Sequence, residues 1–74
     1  MYYVYILKNH TKRSLYIGYS KDLRRRFSEH KEKYNVELIY YEAYSSDKEA
    51  RLRERKLKHY GSAWRGLKKR IGLA

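Results

Sequence analysis

Tyrosines and arginines crowd the first part of the chain. The stretch "YYVYILKNHTKRSLYIGYSKDLRRRFSEH" carries tyrosines on two short hydrophobic segments and then three consecutive arginines. The whole chain has 10 Tyr beside 1 Phe and 1 Trp, although a core prefers Val, Ile and Leu. Rings interleaved with cations suit phosphate contact combined with base or sugar stacking. They also suit a small sheet built from tyrosines, and composition leaves both interpretations open.

The net charge favours a polyanionic partner. Lys and Arg number 19 against 8 Asp and Glu, which gives +11 over 74 residues. Such a charge attracts nucleic acid first and an anionic membrane surface second, whereas solubility alone needs far less imbalance. Apolar runs stay below the roughly 20 residues of a membrane span, and the first residues lack a signal-peptide pattern. A cytoplasmic protein without a membrane partner is therefore expected.

Size and cysteine content narrow the class of protein further. A chain of 74 residues is expected to form one domain, residues 1–74. The chain has no Cys, which excludes a disulfide framework and a thiolate zinc site. Its 3 His stand too far apart in sequence to show a metal-ligand spacing.

The hydrophobic pattern predicts the element order ββαβαα, a small α/β (α+β) domain with a three-stranded antiparallel sheet flanked by helices. Strands are predicted over residues 2–7, 15–19 and 36–44. The polar turn between the first two makes them a hairpin. The helices that follow are predicted to reach about residue 33 and about residue 60. The residues expected to begin or end helices are Ser20 for the first, Ser46 with Glu49 for the second, Gly61 as its left-handed stop, and Ser62 for the third.

Three polar residues fall on or beside the inward faces of these helices. At about 100° per residue, His30 lies on the first helix's apolar face and Arg26 on its border. Each also has a purely structural explanation. Arg26 can pack its aliphatic stem on the edge of the core while its guanidinium stays in water, and His30 can be a hydrogen-bonded histidine at the edge of the core. Glu54 shares the apolar face of the second helix, where a carboxylate needs a cation or a metal. Arg53 is the simplest such cation, and the other carboxylates, Glu42 among them, look ordinary.

These residues together resemble a GIY-YIG nuclease domain, specifically the small stand-alone bacterial type related to the amino-terminal domain of the UvrC excinuclease subunit. The resemblance covers nearly the whole chain. "YVYIL" stands at the GIY strand, "YIG" is present outright, and "DLRRRFSEH" resembles the helix that follows. "EARLRERKLKHYGSAWRGLKKRI" is similar to the last helices. Tyr3 replaces the GIY glycine, and the link "KEKYNVE" is shorter than the basic loop of close relatives.

The resemblance implies hydrolysis of a DNA phosphodiester with one divalent metal ion, Mg²⁺ or Mn²⁺. It assigns catalysis to Tyr5, Tyr16, Arg26, His30 and Glu54, with Glu54 as the metal ligand. Tyr16, together with Tyr5, would orient or deprotonate the attacking water. A tyrosine pKa near about 10 makes a phenolate rare unless a cation such as Arg26 lowers it. Gly18 would let the backbone come close to the scissile group.

Two other functions stay open beside the endonuclease with a role in DNA repair or recombination. The first is a non-catalytic nucleic-acid-binding module of the same fold, and the second is a basic protein that binds RNA in a ribonucleoprotein and has no need of Glu54. Members of this family usually take their specificity from an attached binding domain, so a separate specificity partner, the preferred DNA and the oligomeric state stay open. The candidates for non-specific contact with nucleic acid are Lys21, Arg24, Arg25, Lys68, Lys69 and Arg70.

Overall fold

The chain folds as a sheet covered by helices on both faces. The structure, a computed structural model, describes residues 1–73. They form β1 (Tyr2–Asn9), β2 (Ser14–Ser20), α1 (Leu23–Lys33), β3 (Val36–Tyr44), α2 (Asp47–His59) and α3 (Gly61–Arg70). All neighbouring strands are antiparallel, in the order β2-β1-β3. The predicted fold class and element order are therefore confirmed, and β1 is the central strand.

The two faces of the sheet have different helices. Successive side chains of a strand point to opposite faces. Val4 and Ile6 of β1 pack with Ala50, Leu57 and Leu67, which places α2 and α3 on their face. Tyr5 points to the other face, where its ring meets that of His30 on α1. A fully buried tyrosine on the central strand is thus separated from the main hydrophobic core by the sheet itself.

The hairpin turn sets the register that brings the tyrosines together. Asn9 Oδ1 accepts hydrogen bonds from the backbone amides of Thr11 and Lys12 at 3.0 and 2.9 Å. Arg13 then takes a left-handed conformation with φ of 54°. The resulting register sets Tyr5 opposite Gly18 and Leu7 opposite Tyr16. Tyr16 and Gly18 therefore lie on the same face as Tyr5.

The start of α1 differs from its prediction. Asp22 is the N-cap, and its side chain accepts a hydrogen bond from the amide of Arg25 at 3.1 Å. Ser20 cannot serve as the cap because it still pairs with Tyr3 in the sheet. Its hydroxyl instead accepts from the amide of Asp22 at 2.9 Å. The prediction of Ser20 as N-cap is wrong by two residues.

The predictions at α2 and α3 had mixed outcomes. Ser46 caps α2 as predicted, with its hydroxyl accepting from the amide of Glu49 at 3.3 Å. Gly61 does not stop α2, because extended backbone at Tyr60 ends that helix and Gly61 is the first residue of α3. Ser62 therefore lies inside α3 and is not its N-cap. The left-handed glycine is Gly72, with φ of 83°, just after α3.

The lengths and compositions of the helices show whether any of them could span a membrane. Within residues 1–73, no helix is long and apolar enough to cross a membrane.

Candidate active site

Tyr5, Tyr16, Arg26 and His30 meet on the α1 face of the sheet, and we call them the tyrosine–arginine cluster. The ring centroids of Tyr16 and His30 are 5.3 Å apart, those of Tyr5 and Tyr16 are 6.2 Å apart, and those of Tyr5 and His30 are 6.4 Å apart. Arg26 lies beside the Tyr5 hydroxyl, and this polar interaction raises the pKa of Arg26. The side chains come from the central strand, an edge strand and a helix, so only the folded chain assembles them.

Gly18 makes room for the Tyr5 ring. A Cβ atom at Gly18 would lie 2.5 Å from Tyr5 Oη and 2.8 Å from Cε2. Such distances are too short for any side chain, so the glycine is required by Tyr5 on the neighbouring strand. The expectation from the sequence was that Gly18, lacking a side chain, lets the backbone come close to the scissile group. In the structure, the space beside Gly18 belongs to the catalytic candidate Tyr5.

The cluster holds buried polar atoms that are not satisfied within the protein. Among the residues that the structure describes, Tyr5 Oη and His30 Nε2 are buried and make no hydrogen bond. The approach of Arg26 to Tyr5 falls short of hydrogen-bond geometry, although it is close enough to affect both pKa values. A buried polar atom left in this state costs about 1–3 kcal/mol. Buried polar atoms without a partner are uncommon in native proteins, and a catalytic or ligand-binding role is one explanation for them.

Tyr5 and Tyr16 differ in what they can do. Burial raises the pKa of Tyr5, as does the neighbouring Tyr16, and together these effects exceed the lowering by Arg26. Tyr5 therefore stays a neutral phenol at neutral pH and can donate a hydrogen bond, but it is a poor base. Tyr16 is 45% exposed and can be reached by water. Arg26 has a side chain that is 48% exposed, so its guanidinium can contact a ligand.

Glu54 stands apart from the cluster. It lies on α2, which packs on the opposite face of the sheet through Ala50 and Leu57. Its carboxylate pairs with Lys58 at 3.2 Å, so the predicted pairing with Arg53 is wrong. Because α2 also contacts β2, the edge strand that carries Tyr16, an ion on Glu54 would reach a phosphate at Tyr16 only around that edge of the sheet.

The donor set limits the kind of metal ion that fits. Within residues 1–73, no group of three or more His, Cys, Asp or Glu side chains could hold a metal ion. Mg²⁺ commonly takes one or two carboxylates, keeps several waters and uses substrate phosphates as ligands. The residues present therefore fit an ion held by Glu54 together with substrate and water. They do not fit an ion enclosed by the protein alone.

The predicted nucleic-acid contacts fall into two separate groups. Lys21, Arg24 and Arg25 surround the start of α1, and Arg25 pairs there with Glu29 at 3.4 Å. Lys68, Lys69 and Arg70 end α3 on the opposite face of the sheet. The first group lies on or just before α1, the helix that carries Arg26 and His30, so it would be closer to a nucleic-acid strand bound at the tyrosine–arginine cluster. The role of both groups stays a prediction.

Arg70 is already engaged within the protein. Its guanidinium donates a hydrogen bond to the Tyr40 hydroxyl at 3.2 Å and lies 3.7 Å from Glu42 Oε2. Lys68 by contrast extends over the Trp64 ring, 5.7 Å from its centroid. Contact of Arg70 with a phosphate would therefore compete with an internal carboxylate.

The most densely bonded polar group was missed from the sequence. Glu42, with a side chain only 13% exposed, accepts hydrogen bonds from Tyr40 at 2.6 Å, from Tyr44 at 2.5 Å and from Arg53 at 2.9 Å. We call Tyr40, Glu42, Tyr44 and Arg53 the Glu42 cluster. The interpretation of Glu42 as ordinary is wrong. The spacing Tyr-x-Glu-x-Tyr on one strand face was the signal that could have found it.

Comparison with known proteins identifies the family of the chain. Residues 1–69 match the model of a family described as the GIY-YIG catalytic domain. The chain is also similar to the solution NMR structure of the UPF0213 protein BH0048 from Bacillus halodurans, with 29% sequence identity and a TM-score of 0.64. That similarity covers 99% of this chain and 85% of the other. No curated protein matches the chain.

Proposed function

The chain belongs to the GIY-YIG catalytic domain family, which supports a nuclease role, and we propose that it is a metal-dependent DNA endonuclease acting in DNA repair or recombination. The observation that carries this proposal is the meeting of Tyr5, Tyr16, Arg26 and His30 around a buried, unsatisfied hydroxyl. The net charge of +11 supports a polyanionic substrate. A cytoplasmic location is part of the same proposal.

The cluster offers the groups that phosphodiester hydrolysis needs. Attack on phosphorus requires an oriented nucleophile and stabilisation of the charge that develops on the phosphate oxygens. The exposed Tyr16 hydroxyl orients the attacking water, and His30 beside it accepts or relays a proton. Arg26 binds a non-bridging oxygen with its planar guanidinium. The neutral Tyr5 phenol donates a hydrogen bond that gains its partner when the phosphate binds.

Glu54 is the residue that would hold a divalent ion, Mg²⁺ or Mn²⁺. Bound there, the ion would supply positive charge to a phosphate oxygen and lower the pKa of a bound water. Glu54 would have to release Lys58, a flexible side chain whose ion pair costs little to break, because such surface pairs contribute about 0–1 kcal/mol.

A non-catalytic nucleic-acid-binding module is the second candidate function. The position of Glu54 on the α2 face, paired with Lys58, is the specific observation that favours it. A protein of this kind would keep the basic surface and the aromatic rings without bringing a metal ion to the phosphate.

Nicking of supercoiled plasmid separates the two candidates. The wild type is compared with Arg26→Ala, Glu54→Ala and the control Arg55→Ala, an exposed arginine on α2. Metal-dependent nicking that is lost in the first two variants and kept in Arg55→Ala supports the endonuclease. Retarded mobility without nicking, equal in all four proteins, supports the binding module. Flap, branched and abasic substrates then define the preferred DNA.

A further inference from the structure

A cavity that the proposed hydrolysis does not use lies beside the tyrosine–arginine cluster. Tyr34 forms part of its wall, and we call it the Tyr34 cavity. We propose that this cavity binds one unpaired nucleobase next to the scissile phosphate, stacked on Tyr34, so that the preferred substrate is DNA with an unpaired nucleotide at the cleavage position. This inference rests on the proposed function, because it takes the phosphate to lie at Tyr16 and His30.

The cavity is continuous with the cluster. Its volume is about 320 Å³, within the roughly 300–1,000 Å³ of small-molecule sites. Tyr16 and His30 form part of its wall, and Tyr34 faces them from the end of α1. Tyr34 also lines the adjoining cavity that contains Arg26. A base on Tyr34 would therefore leave its own phosphate within reach of the cluster.

The composition of the wall suits a base attached to a phosphate. Leu7, Leu15 and Val36 provide apolar surface for a flat ring. The Oδ1 of Asn9 already accepts hydrogen bonds from the turn amides, so its side-chain NH₂ is the group left to donate to a base edge. Lys12 supplies a positive charge for the attached phosphate. Flat apolar surface with a few polar groups and a cation is the usual design for binding single-stranded nucleic acid.

Tyr34 is held in place by its backbone while its ring stays accessible. Its amide donates to His30 O at 2.9 Å, and its carbonyl accepts from the Val36 amide at 3.0 Å. The His10 amide fixes the next residue through Asn35 O at 2.9 Å. Tyr34 is nevertheless 50% exposed. A ring on a fixed backbone loses little conformational freedom when a base stacks on it.

The position of the rings selects an unpaired base. A base inside a duplex presents its edge to the groove and keeps its faces stacked on its neighbours, so it cannot enter a side cavity without leaving the helix. That cost is smallest for a base that is already unpaired. The substrate class that fits is forked, flapped or bulged DNA, and intact duplex fits poorly.

A second cavity lined by aromatic rings is the main alternative site for the base. Tyr3 and Tyr41 line it on the other flank of α1, with ring centroids 6.1 Å apart, and Lys21 and Arg24 border it. Helical geometry sets Arg24 about 200° from Arg26, so this cavity faces β3 and not Tyr16. Because Tyr41 is also the cross-strand partner of Tyr5, Tyr41→Ala reports on base stacking at the β3 side of Tyr5 and not on Tyr34.

The test measures binding in the absence of divalent metal, so that cleavage plays no part. The probe is a forked oligonucleotide with 2-aminopurine at the unpaired position beside the junction, compared with a blunt duplex of equal length at one salt concentration. Anisotropy of an end label gives affinity, and quenching of 2-aminopurine reports stacking. The proteins are wild type, Tyr34→Ala, Tyr34→Leu, Tyr34→Phe, Tyr41→Ala and, as a control, Tyr60→Ala, an exposed tyrosine at the α2–α3 junction.

Tyr34→Ala and Tyr34→Leu are expected to weaken binding to the forked probe by about 5-fold or more and to remove the quenching, since base stacking on an aromatic ring carries this much affinity. Tyr34→Phe, Tyr41→Ala and Tyr60→Ala are expected to bind like the wild type, and duplex affinity is expected to be equal in all. Tyr34→Leu keeps an apolar side chain at this position, so it separates stacking from folding. Circular dichroism checks the fold of each variant.

Loss of quenching in Tyr41→Ala with retention in Tyr34→Ala overturns the proposal in favour of the other cavity. Equal affinity for fork and duplex in the wild type overturns it as well. Plasmid nicking is measured separately on the same proteins. Nicking without fork preference removes this inference and leaves the endonuclease, whereas Tyr34-dependent quenching without nicking removes the endonuclease and leaves a binding site for an unpaired base.

Discussion

The sheet carries two clusters made from nearly the same side chains, one on each face. The tyrosine–arginine cluster combines Tyr5, Tyr16 and Arg26 with a histidine, and the Glu42 cluster combines two tyrosines and an arginine with a carboxylate. In the Glu42 cluster, both phenols and the guanidinium bond to the carboxylate. In the other cluster, a phenol and an imidazole nitrogen are buried without a partner among the described residues.

The difference shows how to tell a structural polar group from a functional one. A carboxylate that accepts from three neighbours has spent its hydrogen-bonding capacity inside the protein, so it stabilises the fold. The buried Tyr5 hydroxyl has no hydrogen-bond partner, and the nearby Arg26 makes only a long ion pair of 3.7 Å with Glu29, so the cluster retains capacity for an anion, at a cost to stability. Residue types alone do not separate these cases. The two cases differ in whether the polar atoms have hydrogen-bond partners within the protein, and the following substitutions test this distinction.

The largest effect is expected from Glu42→Ala. Removing the carboxylate leaves Arg53, Tyr40 and Tyr44 without their shared partner, which should lower the free energy of unfolding by about 2–4 kcal/mol. The matched change Glu32→Ala, at an exposed position of α1, should lower it by less than about 0.5 kcal/mol. Urea titrations followed by circular dichroism give both values. Similar midpoints for the two variants would mean that the Glu42 cluster does not stabilise the fold.

Gly18→Ala should have the next largest effect. The added methyl group collides with the buried Tyr5 ring, and overpacking of this kind costs about 1–3 kcal/mol. Gly66→Ala is the control, because no described atom beyond its own helix lies within 4 Å of the new Cβ. It should be neutral or stabilise α3 by up to about 1 kcal/mol. Thermal unfolding measures both, and plasmid nicking should fall only in Gly18→Ala.

A pair of Tyr→Phe changes compares the two faces directly. Tyr44→Phe removes a hydrogen bond to Glu42 and should lower the free energy of unfolding by about 1 kcal/mol. Tyr5→Phe removes a hydroxyl that the protein does not satisfy, so stability should stay the same or rise by up to about 1 kcal/mol. Nicking should instead fall by about 10-fold or more in Tyr5→Phe and stay unchanged in Tyr44→Phe. The reverse pattern would exchange the roles of the two clusters.

The smallest effect is expected in the dependence of stability on acid pH. Burial acts to raise the pKa of Glu42, but hydrogen bonds from Arg53, Tyr40 and Tyr44 outweigh it and hold that pKa below its usual 4.5. A carboxylate with a lowered folded-state pKa stabilises the protein above its unfolded pKa and loses that contribution as pH falls toward the folded value. The free energy of unfolding should therefore decline below about pH 5. Glu42→Gln should show a shallower decline over the same range, measured by urea titration at each pH.

Much of the architecture could be predicted because it depends on local pattern. Alternation and helical periodicity predicted the strands, the helices and their order, and the Ser46 cap was correct. The same periodicity directed His30 and Arg26 toward the sheet, where both now lie beside Tyr5. The helix ends at Ser20, Gly61 and Ser62 were wrong, because sheet pairing and the extended Tyr60 decide where those helices begin.

The sequence by itself determined the fold class, the strongly basic charge and the family to which the chain belongs, since these follow from composition, periodicity and an ordered set of motifs. Only the tertiary structure decided which polar side chains are satisfied. Strand register sets Tyr5 against Gly18, and the packing of α2 on the sheet brings Arg53 to Glu42. Register and helix packing are long-range properties, and hydrogen bonds between distant residues exist only after both are established. That is why the tyrosines beside Glu42 and Tyr5 look alike in sequence and differ in the folded protein.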